Sequence, residues 1–437
     1  MAMKKISELF LRTFHGGIHI KDYKSFTENQ PIKNAPLPKK VRIPLNQHAG
    51  KPAEPIVKVG DNVKTGQKIA EAQGSISANI HASITGKITT IDRFPEPVGG
   101  ESLCIEIEGY GKDVVENLKC DSSDIIKCIQ DAGIVGMGGA AFPTHVKLQP
   151  PKDKTIDTVI LNGAECEPFI TSDYRLMVER PDSVIKGLRF VMQVLGVKKG
   201  IIGIEANKPE AINILKEKSG TDIEIVVLKP KYPQGGEKQL IKAILNREVP
   251  SGGLPFDVGV IVHNVGTIVA IDEAVSLGKP LYERVVTVTG SCVKEPSNWV
   301  VRIGTLFSDL VDWSGGLVAP AGKLIMGGPM MGFAQYTFCV PVIKGTNAVL
   351  VMKKDELKDI KKEPCIRCGK CIIGCPVGLN PGKLAILIDK GKLNEAEELG
   401  VLDCIECGVC AYSCPSNRDI VQLIKYAKRK ILQSRKK

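Results

Sequence analysis

The sequence predicts a multidomain α/β protein, and three observations carry that reading. Short β-type runs separated by glycine turns fill the stretch from about residue 30 to 109. From about 111 to 280, fully apolar strand-length runs alternate with helix-length amphipathic segments. A helical final part holds two tight cysteine groups, Cys365 to Cys375 and Cys404 to Cys414. At 437 residues the chain exceeds one ordinary hydrophobic core. It divides into residues 1–110, 111–280, 281–349 and 350–437.

In the first part the runs VRIPL, PIVKVGDNVKTGQKIAEA, ANIHASITGKITTI and LCIEIEG show almost no helical periodicity, so a small β-sandwich or barrel is expected. VKVGDNVKTGQKIAEA followed by SITGKI resembles the barrel-sandwich hybrid of lipoyl and biotinyl domains. That family carries its prosthetic group on a lysine at a hairpin tip. The matching tip here falls near Gly74-Ser75, where no lysine stands, which makes the domain a docking or structural module.

In the second part TVILNGA, GIIGIEA, IEIVVLK and VGVIVHNV alternate with PDSVIKGLRFVMQVLG, PEAINILKEKSG, EKQLIKAILNR and TIVAIDEAVSLG. Strands apolar throughout belong to a parallel sheet covered on both faces, so a doubly wound, Rossmann-like domain is expected. Ligands bind such domains at the carboxyl ends of the strands. The third part returns to β-rich pattern in ERVVTVTGSCV and LIMGG. Leu324 to Ile343 is an uncharged run of membrane length, but its glycines and prolines read as a glycine-rich loop leading into a buried strand.

The cysteines are the most specific signal. Cys365, Cys368, Cys371 and Cys375-Pro376 repeat the spacing of Cys404, Cys407, Cys410 and Cys414-Pro415. Both are the bacterial ferredoxin run, in which three close thiolates hold one [4Fe–4S] cluster and the fourth reaches the other. One cluster then takes Cys365, Cys368, Cys371 and Cys414; the second takes Cys404, Cys407, Cys410 and Cys375. Zinc prefers two separated knuckles around one ion. Most of the scattered cysteines, Cys104, Cys120, Cys128, Cys292 and Cys339, read as core thiols, whereas Cys166 lies inside an acidic loop.

Four further segments suit a nucleotide. The glycine loop Gly133 to Thr144 contains Gly136, Gly138 and Gly139 and ends near Lys147; its N–H groups can crowd a phosphate. Asn162, Glu165 and Glu167 follow a strand, where carboxylates meet ribose hydroxyls or a reacting ring. Tyr232, Gly235, Gly236 and Glu237 open a helix, and His263, Asn264 and Thr267 close a strand.

Together these segments resemble the NADH- and FMN-binding subunit of respiratory complex I over about residues 130–275. The resemblance implies non-covalent FMN and NAD(H), with Gly136, Gly138, Gly139 and Lys147 on phosphates. Asn162, Glu165, Asn264 and Thr267 would contact FMN, while Glu167, Tyr232, Gly235 and Glu237 would line the shared flavin and nicotinamide pocket. Glu165 and Glu167 are the candidate catalytic residues. Residues 281–349 would be the family's β-grasp-like ligand-binding domain. Ala164, Gly236, His263 and Met137 depart from the complex I pattern, which bears on the NAD(H) contacts more than on the flavin.

Over nearly its full length the chain resembles the RnfC subunits of Rnf electron-transport complexes, including Phe14-His15-Gly16-Gly17-Ile18-His19 and Gly327-Gly328-Pro329-Met330. That implies a peripheral subunit on the cytoplasmic side of the cell membrane. Its partners would be the other members of the complex, through which it exchanges electrons between ferredoxin and NAD, coupled to Na⁺ or H⁺ movement. A cobalamin reductase has similar parts, but its barrel-sandwich follows the clusters. An iron–sulfur adaptor with a vestigial pocket is the alternative of another class. The formal charge of +11 gathers toward a basic C-terminus, yet no aromatic-interleaved patch accompanies it, which argues against nucleic acid. No secretory signal is visible, and grouped cysteines in a large chain suit a reducing compartment.

Overall fold

The computed structural model describes residues 11–357 and 361–435. Its β-rich N-terminal part is a sandwich of two antiparallel sheets. One has the order Lys40–Pro44, Glu101–Gly109, Gly86–Pro95, Asn62–Val63; the other has Glu54–Pro55, Lys68–Glu71, Ile80–His81. Alternate residues point inward, so Val41, Ile43, Ile69, Ile80, Ile88, Ile105 and Ile107 form a core of branched side chains. The connection between Lys68–Glu71 and Ile80–His81 carries the exposed Gly74-Ser75 pair.

Next comes a four-stranded parallel sheet ordered Ile223–Leu228, Gly200–Glu205, Thr158–Gly163, Val260–Asn264. Along Thr158–Gly163 the period of two sends Val159 and Leu161 toward helices Pro181–Leu195 and Val265–Leu277. Ile160 faces the opposite way, toward Leu240, Ile241 and Ile244 of helix Glu237–Leu245. Both faces are thus covered, as the unbroken apolar runs require. The strand order reverses between Thr158–Gly163 and Val260–Asn264, so a crevice opens at their carboxyl ends.

The third sheet has six strands, ordered Ile32–Asn34, Ser297–Arg302, Glu283–Thr289, Ala348–Lys353, Ala321–Met326, Phe333–Gln335, with helix Phe307–Trp313 packed on it. Three details differ from the sequence reading. Ile32–Asn34 belongs to this sheet, beside Asn298 to Val300. The expected boundary at 349 lies inside the strand Ala348–Lys353. In the run from Leu324 to Ile343 the buried strand precedes the glycine loop, because Leu324, Ile325 and Met326 are the residues that pair with Ala348–Lys353.

Among the described residues, five α-helices make the final part: Lys370–Ile373, Pro381–Asp389, Leu393–Glu398, Val409–Tyr412 and Ile420–Ser434. Ile420, Ile424, Ala427 and Ile431 recur at helical spacing and bury against Leu384 and Ile388. A strap near the N-terminus threads between this part and the parallel sheet. Ile18 exchanges backbone hydrogen bonds with Tyr232, and Gly17 N–H donates to Gly374. Gly16 has φ +78°, and a Cβ there would come within 2.6 Å of the Cys375 carbonyl, so only glycine passes.

Candidate redox site

Asn162 and Asn264 sit side by side at the carboxyl ends of the two strands flanking the switch point. Asn264 caps helix Val265–Leu277: its Oδ1 accepts from Gly266 N at 2.9 Å and Thr267 N at 3.4 Å. Its Nδ2 donates to Asp173 at 2.6 Å. Thr267 Oγ1 in turn accepts from Met137 N at 2.9 Å, which ties the glycine loop to the strand end. A Cβ on Gly138 would come within 2.7 Å of Asn264 Nδ2, whereas Gly139 has open space around it. The Thr144 hydroxyl, closing this loop, is buried without a partner. Exposed N–H groups, open space and an orphaned hydroxyl fit an anionic cofactor group.

Asn162 Nδ2 donates to the Gly235 carbonyl at 2.8 Å, and Gly235 N donates to Cys166 Sγ at 3.2 Å. Lys147 and Glu237, both expected on the cofactor, form an ion pair with each other at 2.8 Å.

Glu165 stands in the left-handed region at φ 46°, a conformation that concentrates at functional sites. Its carboxylate accepts from Asp173 N at 2.7 Å and lies 3.7 Å from Lys24 Nζ. Burial raises its pKa to about 7 against the pull of Lys24. Lys24, lowered by burial, also donates to the Glu167 carbonyl at 3.2 Å. Lys208 donates to the Ala164 carbonyl at 2.6 Å and pairs with Glu205 at 3.3 Å. Glu167 accepts from Met330 N at 2.6 Å and Met331 N at 3.2 Å, and burial raises it too.

Tyr232, only 2% exposed, points away from solvent and donates to the Cys407 carbonyl at 2.7 Å. Around it pack Ile18, Ile20, Cys166, Met330, Ile405 and Val409. Beyond lies a small cavity lined by Cys375, Cys404, Cys407 and Cys410. Burial pushes the Cys407 and Cys410 thiols up to about 12, which metal binding would reverse. Glu406 N donates to Cys404 Sγ at 3.4 Å. Cys371 is raised first by burial and then by its neighbours Cys365 and Cys368. Cys414 packs with Cys371 and Cys404 on the same helical core. A donor set of four thiols spread around a cavity fits a cluster, each thiolate taking a different iron.

The sequence reading did not single out Lys24, Asp173, Lys208, Arg284 and Lys344. Asp173, in the first turn of helix Ser172–Glu179, carried a helix-start signal. Lys344, 1% exposed, donates to the Asn79 and Gly133 carbonyls at 2.6 and 2.7 Å, and Arg284 donates to the Lys344 carbonyl. Both cations support the glycine loop from outside its own domain.

Four known families match successive stretches of the chain. Residues 12–112 match the RnfC barrel sandwich hybrid domain, 129–273 the Nuo51 FMN-binding domain, 285–334 the SLBB domain and 358–424 the 4Fe-4S dicluster domain. Fold and site together define a flavin and iron–sulfur electron-transfer protein, with FMN and [4Fe–4S] clusters as its cofactors. The C subunit of the proton-translocating ferredoxin:NAD(+) oxidoreductase complex of Clostridium ljungdahlii is 51% identical over 96% of this chain and 94% of its own. The C subunit of the Na(+)-translocating complex of Acetobacterium woodii is 45% identical, covering 97% and 98%. The C subunit of the ion-translocating oxidoreductase complex of Rhodobacter capsulatus is 42% identical, covering 100% and 88%. The chain belongs to the RnfC family, the C subunits of ion-translocating ferredoxin:NAD⁺ oxidoreductase complexes. A crystal structure of NAD⁺-reducing [NiFe]-hydrogenase in the H₂-reduced state shares the fold, with TM-score 0.52 at 19% identity over 72% of this chain and 63% of that one. No described helix is long and apolar enough to cross a membrane.

Proposed function

We propose that this chain is the NAD(H)-linked electron-transfer subunit of a membrane-bound ion-translocating complex, peripheral on the cytoplasmic face. Nicotinamide delivers two electrons as hydride, bound flavin accepts them and releases them singly, and clusters carry one at a time. The observation that carries this reading is the direct link from the flavin domain to the cysteine domain. Tyr232 bonds Cys407, and Met330, which bonds Glu167, would meet a Cβ on Gly408 at 2.9 Å through its carbonyl.

In this reading Gly138 and Gly139 hold phosphate through their N–H groups, with Lys147 close by, while Gly136, whose N–H donates to the Phe142 carbonyl at 2.8 Å, holds the loop in shape. Asn162, Asn264 and Thr267 fix the crevice that would hold the flavin. Glu165, titrating near neutrality, holds or releases a proton at its carboxylate. Glu167, Gly235 and Glu237 line the nicotinamide side, while Tyr232 joins that wall to the cysteine domain. Cys365, Cys368, Cys371 and Cys414 take one cluster; Cys404, Cys407, Cys410 and Cys375 take the other. Partner subunits supply ferredoxin electrons and couple the flow to Na⁺ or H⁺.

The test is anaerobic purification followed by flavin, iron and sulfide analysis and a spectrum before and after NADH. Bound FMN, about eight irons and bleaching by NADH are expected. Iron without flavin or NADH response would move the chemistry to a partner.

A further inference from the structure

The two cysteine groups face different surroundings. Cys375, Cys407 and Cys410 are buried, and Cys407 packs with Tyr232 of the flavin domain, whereas Cys365 and Cys368 are exposed. The group at Cys365 to Cys371 is therefore the outer one.

Its rim is unlike an ordinary surface. Ile366, between Cys365 and Cys368, is 67% exposed, and Ile373, just after Cys371, is 75% exposed. Single exposed apolar residues need no explanation, but these two flank thiols that hold a redox centre. Arg367 and Lys370 are exposed beside them, and among the described residues neither has a carboxylate partner. Glu363, the nearest acid in the chain, is already engaged by Lys361 at 3.1 Å. Elsewhere in the same domain Arg418, Lys428 and Arg435 are each held by an acid, Asp389, Glu406 and Glu397.

We infer that Ile366, Arg367, Lys370 and Ile373 form the docking surface for a partner protein that carries a one-electron centre behind an acidic rim. The inference rests on the redox reading above. Electron-transfer contacts are small, and an apolar centre with unpaired charges of one sign suits recognition by complementary charge. Acidic groups on the partner would neutralise Arg367 and Lys370, while Ile366 and Ile373 exclude water next to Cys365 and Cys368.

The experiment uses the purified, cluster-loaded chain and membranes from cells lacking it, which retain the other subunits. Binding is measured by co-sedimentation across salt concentration, with protein-free liposomes of the same lipids as the control. The double variant Arg367→Glu/Lys370→Glu should bind at least about tenfold more weakly and lose its salt dependence, with iron content and NADH bleaching unchanged. Ile373→Ser should weaken binding and keep the salt dependence, and it decides the matter if the double variant loses iron. Unchanged binding by these variants, or equal binding to protein-free liposomes, overturns the proposal. The assay reads association, so a chain that docks through this rim yet gives no NADH bleaching would sink the redox reading and leave the surface standing.

Discussion

The side chain of Asn264 bonds Asp173 at 2.6 Å while its other amide atom caps the helix that follows. One residue thereby closes the strand, starts the helix and orients an acid at the crevice. Asn264→Ala should cost about 1 kcal/mol for the lost cap and lower the flavin content of the purified protein. Thermal unfolding and flavin-to-protein ratio check this; full flavin retention would remove Asn264 from the site.

Glu165→Gln keeps the shape but removes the titration. NADH-driven flavin reduction should fall by about 10²-fold, with iron content unchanged. Simultaneous loss of iron would make Glu165 structural. The raised carboxyl, about 7 against an ordinary 4.5, contributes stability that is complete at low pH and lost as pH rises through about 7. Unfolding temperatures across that range should fall in the parent and flatten in the variant.

Lys344 has the opposite sign. Burial lowers its amine from 10.5 to about 7, so its contribution is full at high pH and lost as pH falls toward 7. Lys344→Met should flatten that slope and cost about 1–3 kcal/mol for the two carbonyls left without a donor. A variant with an unchanged pH profile would show that the amine stays charged.

Tyr232→Phe removes the donor to the Cys407 carbonyl. The expected cost is about 1–3 kcal/mol, with a more negative midpoint potential for the inner cluster, since hydrogen bonds near a cluster tune it. Potentiometric EPR separates this from a packing defect, which would leave the potential in place.

The parallel sheet was legible because its strands are apolar on both faces, and the cysteine runs because their spacing is chemically restrictive. Asn162, Glu165 and Asn264 were proposed from segments at strand ends together with the resemblance to complex I. Lys24 and Lys344 were not, since a lysine's burial depends on carbonyls and acids more than a hundred residues away. The Lys147–Glu237 pair was hidden for the same reason, as each looked like a free ligand in its own segment. Ile32–Asn34 has three residues, too few for a period to show. His263 followed its strand pattern, yet only the structure shows it buried with Nε2 lacking a partner.

The strap at Gly16, Gly17 and Ile18 sets a schedule for biosynthesis. Ile18 needs Tyr232, and Gly17 needs Gly374, which leaves the ribosome about 20–70 s later at typical elongation rates. The strap thus settles in two steps, the second long after its own synthesis. It pairs with the flavin domain once Tyr232 has emerged, and its bond to Gly374 then latches the cysteine domain onto the rest of the nascent protein.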